Sequence, residues 1–271
     1  MEYDEPDLST GRAHSARVYD YLLGGKDNYA VDRNAAQAIM RLWPAVRIAA
    51  LANRSFMHRA ARFMAEQGIT QFLDIGTGIP TEPNLHQVVQ RVTPAARVVY
   101  VDNDPLVLVH AAAFMDSDPR GRTTYLQADL RDPESILGSP ELRDVLDTDR
   151  PIGLSMIALL HFVTDDDEAR AVLGRLMAAL APGSFLALTH GSDEFDPERM
   201  QALAEVYAAS GFAYRFRGHA EIAALLDGLE LVEPGIVQIQ AWRPQRIRGA
   251  PAEPPIDRRD IAGYGVVAQK V

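Results

Sequence analysis

A glycine-rich turn, DIGTGIPT at positions 74–81, directly follows a short apolar run. Gly76 and Gly78 allow the backbone to turn sharply and to approach a ligand closely, beside the amides that begin the next helix. A dinucleotide fingerprint has a third glycine where Thr81 stands, and prolines at positions 80 and 83 delay the helix. The turn therefore disfavours a pyrophosphate, and its alternative interpretation is a tight turn without a ligand.

Two carboxylates stand at the ends of the next two apolar runs. Asp102 can accept two hydrogen bonds from a ribose diol, the role of an acid after the second strand of nucleotide-binding sheets. Asp129 can accept from an adenine amino group, with Leu130 packed on the base. The alternatives are structural, because Asp104 can cap a helix that begins at Pro105, and an aspartate such as Asp129 is common in turns.

Alternating strand and helix patterns from residue 71 onward must position these groups. The near-continuous apolar character of the strands is typical of a parallel sheet covered on both faces, so we expect an open α/β, doubly wound sheet. The carboxyl ends of its strands then share one edge, where ligands bind. The predicted strands are 72–75, 97–102, 124–128, 153–160 and 184–189, and the predicted helices are 84–91, 106–114, 140–146 and 168–180.

Both flanks of this core have their own patterns. The N-terminal flank predicts helices over 33–42 and 45–67, after a polar, glycine-containing stretch that is too irregular for a plain helix. The C-terminal flank predicts helices over 198–211 and 219–226 and strands over 231–242 and 264–270, joined by a Pro/Arg-rich connection over 243–260. We expect these two strands to pair antiparallel at the sheet edge.

Composition narrows the classes of partner and compartment. The 271-residue chain has 27 basic and 37 acidic residues and a net charge of −10, which argues against a broad grip on nucleic acid. The absence of cysteine excludes disulfides, thiolate metal sites and a cysteine nucleophile, and it fits a reducing compartment. With an acidic N-terminus and no long apolar run, we expect a cytoplasmic protein that does not bind membranes.

The three strand ends together resemble those of class I S-adenosylmethionine-dependent methyltransferases. Longer motifs are similar to an actinobacterial family of predicted methyltransferases, once catalogued as a domain of unknown function. These motifs are SARVYDYLLGGKDNYAVDR at 15–33, QFLDIGTGIPT at 71–81, VYVDNDP at 99–105, ADLRDP at 128–133, LHFV at 160–163, LAPGS at 180–184 and LVEPGI at 231–236. The resemblance therefore covers nearly the whole chain.

The resemblance implies a Rossmann-like, seven-stranded sheet of order 3-2-1-4-5-7-6 with strand 7 antiparallel, and S-adenosyl-L-methionine as cofactor. It implies that the cofactor lies over the glycine turn, with Asp102 at the ribose and Asp129 with Leu130 at the adenine. It leaves the methyl acceptor and the oligomeric state open, and we expect a small-molecule acceptor. The residues expected to bind the cofactor are Asp74, Gly76, Thr77, Gly78, Asp102, Asn103, Asp129, Leu130, Tyr21, Lys26 and Arg54.

The last three of these residues belong to the N-terminal flank. Residues 1–68 are expected to form a helical cap or lid on a cofactor-binding domain at 69–271. The segment 19–33 combines tyrosines, a glycine pair and hydrogen-bond donors, which suits a lid that closes over a small molecule. Lys26 or Arg54 can pair with the cofactor carboxylate. The alternative is a cap that packs on the sheet edge.

Catalytic residues are not evident from the sequence. His161 follows the fourth strand and can act as a base or bind the cofactor, or it can simply pack at the strand end. The acids at 165–168 suit a metal site less well than a helix N-terminus, so we expect no metal. Two alternatives to a methyltransferase stay open: an NAD-dependent oxidoreductase on a similar sheet, and a non-catalytic protein that binds S-adenosylmethionine.

Overall fold

One mixed sheet organises the computed structural model, which describes residues 11–114, 117–244 and 256–271. The strand order is β3-β2-β1-β4-β5-β8-β6, and β7 also pairs with β8. Strands β1 to β5 are parallel, whereas β8 is antiparallel to its neighbours. The strands are β1 Gln71–Ile75, β2 Arg97–Asp102, β3 Arg122–Gln127, β4 Gly153–Met156, β5 Phe185–Gly191, β6 Glu230–Leu231, β7 Val237–Gln238 and β8 Gly263–Gln269.

The predicted fold class and strand order are confirmed. The sequence predicts one strand over 231–242, but the structure divides it into the two-residue strands β6 and β7, both paired with β8. Pro234 has no amide hydrogen to donate, and Gly235 has a φ of 82°. The ladder of hydrogen bonds is therefore interrupted between β6 and β7. The antiparallel β8 therefore fills the place of strand 7, beside an interrupted strand 6.

The two faces of the sheet bury separate apolar cores because side chains alternate along each strand. Leu73 and Ile75 point into a core with the later helices, including α8 (Asp166–Ala178). Phe72 joins the opposite core, which Phe56 and Met64 of α3 (Val46–Glu66) help to form. The other helices are α1 Ser15–Leu23, α2 Ala30–Leu42, α4 Leu85–Gln90, α5 Pro105–Phe114, α6 Pro133–Leu137, α7 Pro140–Val145, α9 Pro197–Ala209 and α10 His219–Leu225.

The N-terminal stretch that the sequence leaves irregular contains two helix ends and a tight turn. Helix α1 ends at Gly24, whose φ is 87°, and α2 begins after a capping box in which Asp32 accepts from the Tyr29 amide at 2.8 Å. Between them, Asp20 accepts from the Asp27 amide at 3.0 Å and from Asn28 Nδ2 at 2.7 Å. These bonds hold a structured helix-turn-helix.

The predicted cap divides into two packing environments. The later turns of α3 share a core with the sheet. Its first turns, with Val46 and Ala50, join α1, α2 and α9 in a third cluster that includes Val18, Ile39 and Leu203. The first ten residues of that cap, and positions 245–255 of the predicted 243–260 connection, lie outside the described residues. No described helix combines the length and apolar character needed to cross a bilayer.

Candidate active site

A cavity of about 470 Å³ lies at the carboxyl ends of the parallel strands. Its lining joins the glycine turn after β1, the ends of β2, β4 and β5, and residues of α1, α3 and α9. Most of the sequence-predicted site residues line it, namely Asp74, Gly76, Thr77, Gly78, Asp102, Asn103, Asp129, Leu130, His161 and Arg54. The parallel topology therefore brings together groups that are far apart in the chain.

The glycine turn has the backbone conformation that favours glycine. Gly76 has a φ of 72° and Gly78 a φ of 68°, both in the left-handed region. A Cβ atom on Gly76 would lie 2.6 Å from Leu159 Cδ1, whereas one on Gly78 would meet no atom within 4 Å. Gly76 therefore permits close packing, and Gly78 leaves open space beside the turn.

Asp102 is fixed by backbone amides. Its Oδ2 accepts from the Gly78 amide at 2.8 Å and its Oδ1 from the Asp104 amide at 3.0 Å. Burial raises its pKa, and these two hydrogen bonds oppose that effect. Each carboxylate oxygen keeps a further lone pair, so Asp102 can still accept from a ligand hydroxyl.

Asp129 and Asn103 form a polar pair at the ends of β3 and β2. Asn103 Nδ2 donates to Asp129 Oδ2 at 3.0 Å, and the Arg131 amide donates to Asp129 Oδ1 at 2.9 Å. Burial raises the pKa of Asp129, but the bonds from Arg131 and Asn103 outweigh it, so the pKa is lowered overall. Leu130 is buried beside them and supplies an apolar contact surface in the cavity.

Asp74 lies below the glycine turn and accepts from Thr77 Oγ1 at 2.7 Å. Burial raises the pKa of Asp74, and the bond from Thr77 opposes this. This pair closes the turn from one side, so Thr77 has a structural partner as well as a place in the cavity lining.

Helix α3 contributes two adjacent polar residues with unpaired atoms. Asn53 Nδ2 donates to Tyr19 Oη at 2.9 Å, while its Oδ1 is buried without a hydrogen-bond partner. Arg54 donates to the carbonyl oxygens of Thr81 and Pro83, and its Nε is likewise buried and unpartnered. Both residues line the cavity, and each has one buried polar atom without a hydrogen-bond partner, an acceptor in Asn53 and a donor in Arg54.

Two predicted contacts of the N-terminal segment lie elsewhere. Tyr21 Oη accepts from Gln37 Nε2 at 3.4 Å, and Lys26 is exposed in the turn after α1; neither is among the cavity-lining residues. Tyr19 of the same segment and His14, the N-cap of α1, do line the cavity. The N-terminal flank therefore reaches the cavity through residues other than Tyr21 and Lys26, whose contacts with the cofactor stay predictions.

His161 lies on a short 3₁₀ helix, Leu160–Phe162, where the sequence predicts a continuation of β4. The strand ends at Met156, and its last part is replaced by a turn in which Ala158 has a φ of 53°. His161 is buried, and its Nδ1 has no hydrogen-bond partner. Burial, with His190 and Arg217 nearby, holds its pKa well below the ordinary value, so the ring is neutral at neutral pH.

Arg217 is a buried residue that fixes the surroundings of His161. It donates from Nη2 to the Val163 carbonyl at 2.9 Å and from Nε to Asp166 at 2.9 Å. Its Nη1 lies 3.0 Å from His190 Nε2, which must accept because guanidinium nitrogens only donate. The Nδ1 hydrogen of His190 therefore points to the Gly191 carbonyl at 2.8 Å, which sets the tautomer.

The acids after His161 have helix-end partners. Asp165 accepts from the Glu168 amide at 2.8 Å as the N-cap of α8, and Asp166 pairs with Arg217. Within the described ranges, no group of three His, Cys, Asp or Glu side chains is arranged to hold a metal. The expectation of an N-terminal helix cap here is confirmed.

Sequence reasoning missed several cavity residues because their signals are tertiary. Asn53 lies inside an ordinary amphipathic helix pattern, and His190, Tyr207 and Tyr214 come from three separate stretches. An isolated polar residue at a buried helical position, as at Asn53, is the one signal that could have identified a site residue.

The whole chain, residues 1–271, matches the family model described as S-adenosyl methyltransferase. The chain belongs to this S-adenosyl methyltransferase family. No protein of curated function matches the sequence. The fold described above is therefore that of a methyltransferase, and its cofactor is S-adenosylmethionine.

Solved structures agree with the assignment of this methyltransferase. A DUF574 family protein from Streptomyces avermitilis is 50% identical, with a TM-score of 0.92, and the match covers 97% of this chain and 100% of that one. A predicted methyltransferase from Thermobifida fusca is 39% identical, with a TM-score of 0.87 and coverage of 100% and 99%. An O-methyltransferase family protein from Burkholderia thailandensis, 15% identical with a TM-score of 0.53 over 83% of this chain and 58% of that one, shares the fold alone.

The cavity of the methyltransferase fits its cofactor chemically. The amino-acid end of S-adenosylmethionine has an ammonium group and a carboxylate, which complement the unpaired Asn53 Oδ1 and Arg54 Nε. Its ribose diol complements Asp102, and the open space beside Gly78 leaves room for a close approach. The family match and this fit favour methyl transfer over the NAD-dependent alternative.

Proposed function

We propose that this methyltransferase methylates a small molecule that binds in the same cavity as the cofactor. The observation that carries the proposal is one continuous lining, from the glycine turn at Gly76 to His161 and Tyr214 beyond it. Its volume of about 470 Å³ is in the range of cavities that enclose small ligands, roughly 300–1,000 Å³.

We propose that two parts of the cavity lining hold the cofactor, one at the ends of β2 and β3 and one on α3. Asp102 would bind the ribose, and Asp129, Asn103 and Leu130 would surround the adenine. At the amino-acid end, we propose that Arg54 binds the carboxylate and that Asn53 accepts from the ammonium group; the second of these contacts is not evident from the sequence. The helices α1 and α2 would act as the cap over this end, with Tyr19 held by Asn53.

When bound, S-adenosylmethionine supplies an electrophilic methyl group on a sulfonium. The chain has to align a nucleophilic atom of the acceptor with that methyl group and to exclude water, because in-line displacement depends on position. His161 is the candidate for an acceptor contact, since its ring is neutral and its Nδ1 has no partner. Its low pKa makes it a weak base, so we propose that it orients the acceptor rather than removing a proton.

The test combines binding with turnover. We expect calorimetric titration to show saturable binding of S-adenosylmethionine and of S-adenosylhomocysteine, with none for NAD. The protein is then incubated with radiolabelled S-adenosylmethionine and an actinobacterial cell extract. Dialysis separates the small molecules of the mixture from the macromolecules, and the label is measured in both fractions. We expect label in a dialysable compound that chromatography separates from the methyl donor itself, and that does not form without the protein. Label only in protein or nucleic acid would contradict a small-molecule acceptor, and binding without transfer would favour a non-catalytic role.

The remaining expectations concern location and partners. We propose that the methyltransferase acts in the cytoplasm, because it contains no cysteine that an oxidising compartment would pair. The net charge of −10 supports a site for small molecules rather than for nucleic acid.

A further inference from the structure

An aromatic wall forms the part of the cavity around the ends of β4 and β5. We use this term for one histidine and five aromatic residues that line the cavity in this region. Two of them come from the 3₁₀ helix after β4, one from α9, and three from the segment between α9 and α10. The members are His161, Phe162, Tyr207, Phe212, Tyr214 and Phe216.

Three rings of the wall form a parallel stack. The Tyr207 and Tyr214 ring centroids are 4.5 Å apart with an interplanar angle of 14°. On the other side of Tyr214, the His161 ring is 4.2 Å away at 23°. Phe162 meets both His161 and Tyr214 edge-on, at 4.5 Å and 5.6 Å. Tyr214 is therefore covered on both faces, and it holds Tyr207 and His161 parallel at the two ends of the stack. The outer ring faces and the ring edges are the two kinds of surface that aromatic ligands contact.

Backbone contacts hold the wall in place. The Arg215 amide donates to the His161 carbonyl at 2.8 Å, and the Arg217 amide donates to the Gly191 carbonyl at 3.2 Å. Tyr214 lies so close to Gly191 that a Cβ atom there would be 2.3 Å from the Tyr214 hydroxyl. The wall is thus fixed in the absence of a ligand, which lowers the entropic cost of binding one.

No member of the wall carries a charge at neutral pH. Burial lowers the pKa of His161 and raises the pKa of Tyr207 and Tyr214, so all three stay uncharged. The cations beside the wall already have partners. Arg217 donates to carbonyl oxygens and to Asp166. Arg131, which also lines the cavity, donates to the Phe162 carbonyl and pairs with Asp129. A charged ligand would lose its hydration here without gaining a counterion.

We propose that the methyl acceptor is an uncharged, planar aromatic molecule whose ring packs on the aromatic wall. The proposal rests on the proposed function as a small-molecule methyltransferase and names the class of its substrate. Planarity matches the parallel stack, and the lack of charge matches the uncharged wall.

The test compares three probes of similar size on the protein saturated with S-adenosylhomocysteine. Naphthol is planar and uncharged, its saturated analogue decalol is uncharged but not planar, and naphthoate is planar but anionic. Binding is measured by saturation-transfer NMR with titration. We expect naphthol to bind about threefold to tenfold more tightly than decalol, in keeping with the extra energy of aromatic pairs, and naphthoate to bind more weakly than naphthol.

Variants of the wall connect the binding to this surface. Tyr214→Leu is expected to lower naphthol affinity by about threefold to tenfold, whereas Tyr214→Phe retains it, since the ring and not the hydroxyl holds the stack together. Tyr207→Leu gives the same readout from α9 if Tyr214→Leu does not fold. Affinity for S-adenosylhomocysteine, measured by calorimetry, is expected to stay unchanged in each folded variant.

The results separate the two levels of the proposal. If S-adenosylhomocysteine binds but naphthol does not, or if decalol or naphthoate binds as tightly as naphthol, the acceptor class is wrong while the cofactor site stands. Naphthol binding that is unaffected by both leucine variants likewise overturns it. Failure of the folded protein to bind S-adenosylhomocysteine instead contradicts the proposed function itself.

Discussion

Backbone amides of Gly78 and Asp104 donate to the two carboxylate oxygens of Asp102 and so fix its side chain, for which we propose the ribose contact. The predicted role of this residue depends on its carboxylate, which can accept hydrogen bonds from the ribose of the cofactor. We expect Asp102→Ala to weaken S-adenosylmethionine binding by about tenfold to a hundredfold, since a hydrogen bond to a charged group is worth roughly 1.5–3 kcal/mol. Calorimetry measures the dissociation constant.

The matched control is Asp167→Ala, because the Asp167 carboxylate is 94% exposed on α8, pairs with Arg170 and does not line the cavity. Its dissociation constant is expected to equal that of the unchanged protein. Thermal unfolding of both variants checks that Asp102→Ala is folded. An unchanged dissociation constant in folded Asp102→Ala would remove Asp102 from the ribose role.

The turn between β1 and α4 shows how one element uses two glycines differently. An alanine costs about 1–2 kcal/mol at a left-handed position. We expect Gly78→Ala to lower the free energy of unfolding by about 1 kcal/mol, and Gly76→Ala by more, because its Cβ would also overlap Leu159. We further expect Gly78→Ala to weaken cofactor binding, since the added methyl group enters the open space beside the turn. Urea unfolding and calorimetry give the two quantities.

Gly228→Ala is the control for backbone strain alone. Gly228 has a φ of 81° and open space around its Cβ position, and it does not line the cavity. It should lose stability as Gly78→Ala does, with no change in cofactor affinity. Equal cofactor affinities for Gly78→Ala and Gly228→Ala would argue against a ligand beside the glycine turn.

Stability of the whole molecule depends on its buried neutral histidines. Burial lowers the pKa of His190 from 6.5 to about 4, so between these values the unfolded chain binds a proton that the folded chain does not. Stability therefore rises with pH across this window and falls as pH drops from 6.5 towards 4. We expect His190 to account for a loss of about 2 kcal/mol between pH 7 and pH 5.

His190→Gln tests this contribution, because a glutamine can accept from Arg217 and donate to a carbonyl without titrating. Urea unfolding at both pH values is expected to show a smaller loss in the variant than in the unchanged protein, by about 2 kcal/mol. An equal loss in the two proteins would show that the pKa of His190 is not lowered by folding.

The local sequence pattern was enough to predict the parallel sheet and the polar residues at the ends of its strands. Apolar runs that alternate with helical patterns can bury their side chains only in a covered parallel sheet, and this topology brings Gly76, Asp102 and Asp129 to one edge. The prediction of one continuous edge strand over 231–242 was wrong, because Pro234 and Gly235 interrupt the ladder of hydrogen bonds although several neighbouring residues are apolar. The sequence pattern did not predict helix α1. The glycine-containing turn that follows it is held by hydrogen bonds to Asp20, and such contacts leave no periodic pattern in the sequence.

The sequence by itself determined the sheet, the glycine turn and the carboxylates at the strand ends, because these follow from neighbours along the chain. Only the tertiary structure decided the rest of the cavity. It brought Asn53 and Arg54 into the cavity lining and stacked Tyr207, Tyr214 and His161 into one wall. Cavity surfaces of this kind form where segments that are distant in the chain pack together. The periodic pattern within one segment does not specify which side chains of another segment will pack against it.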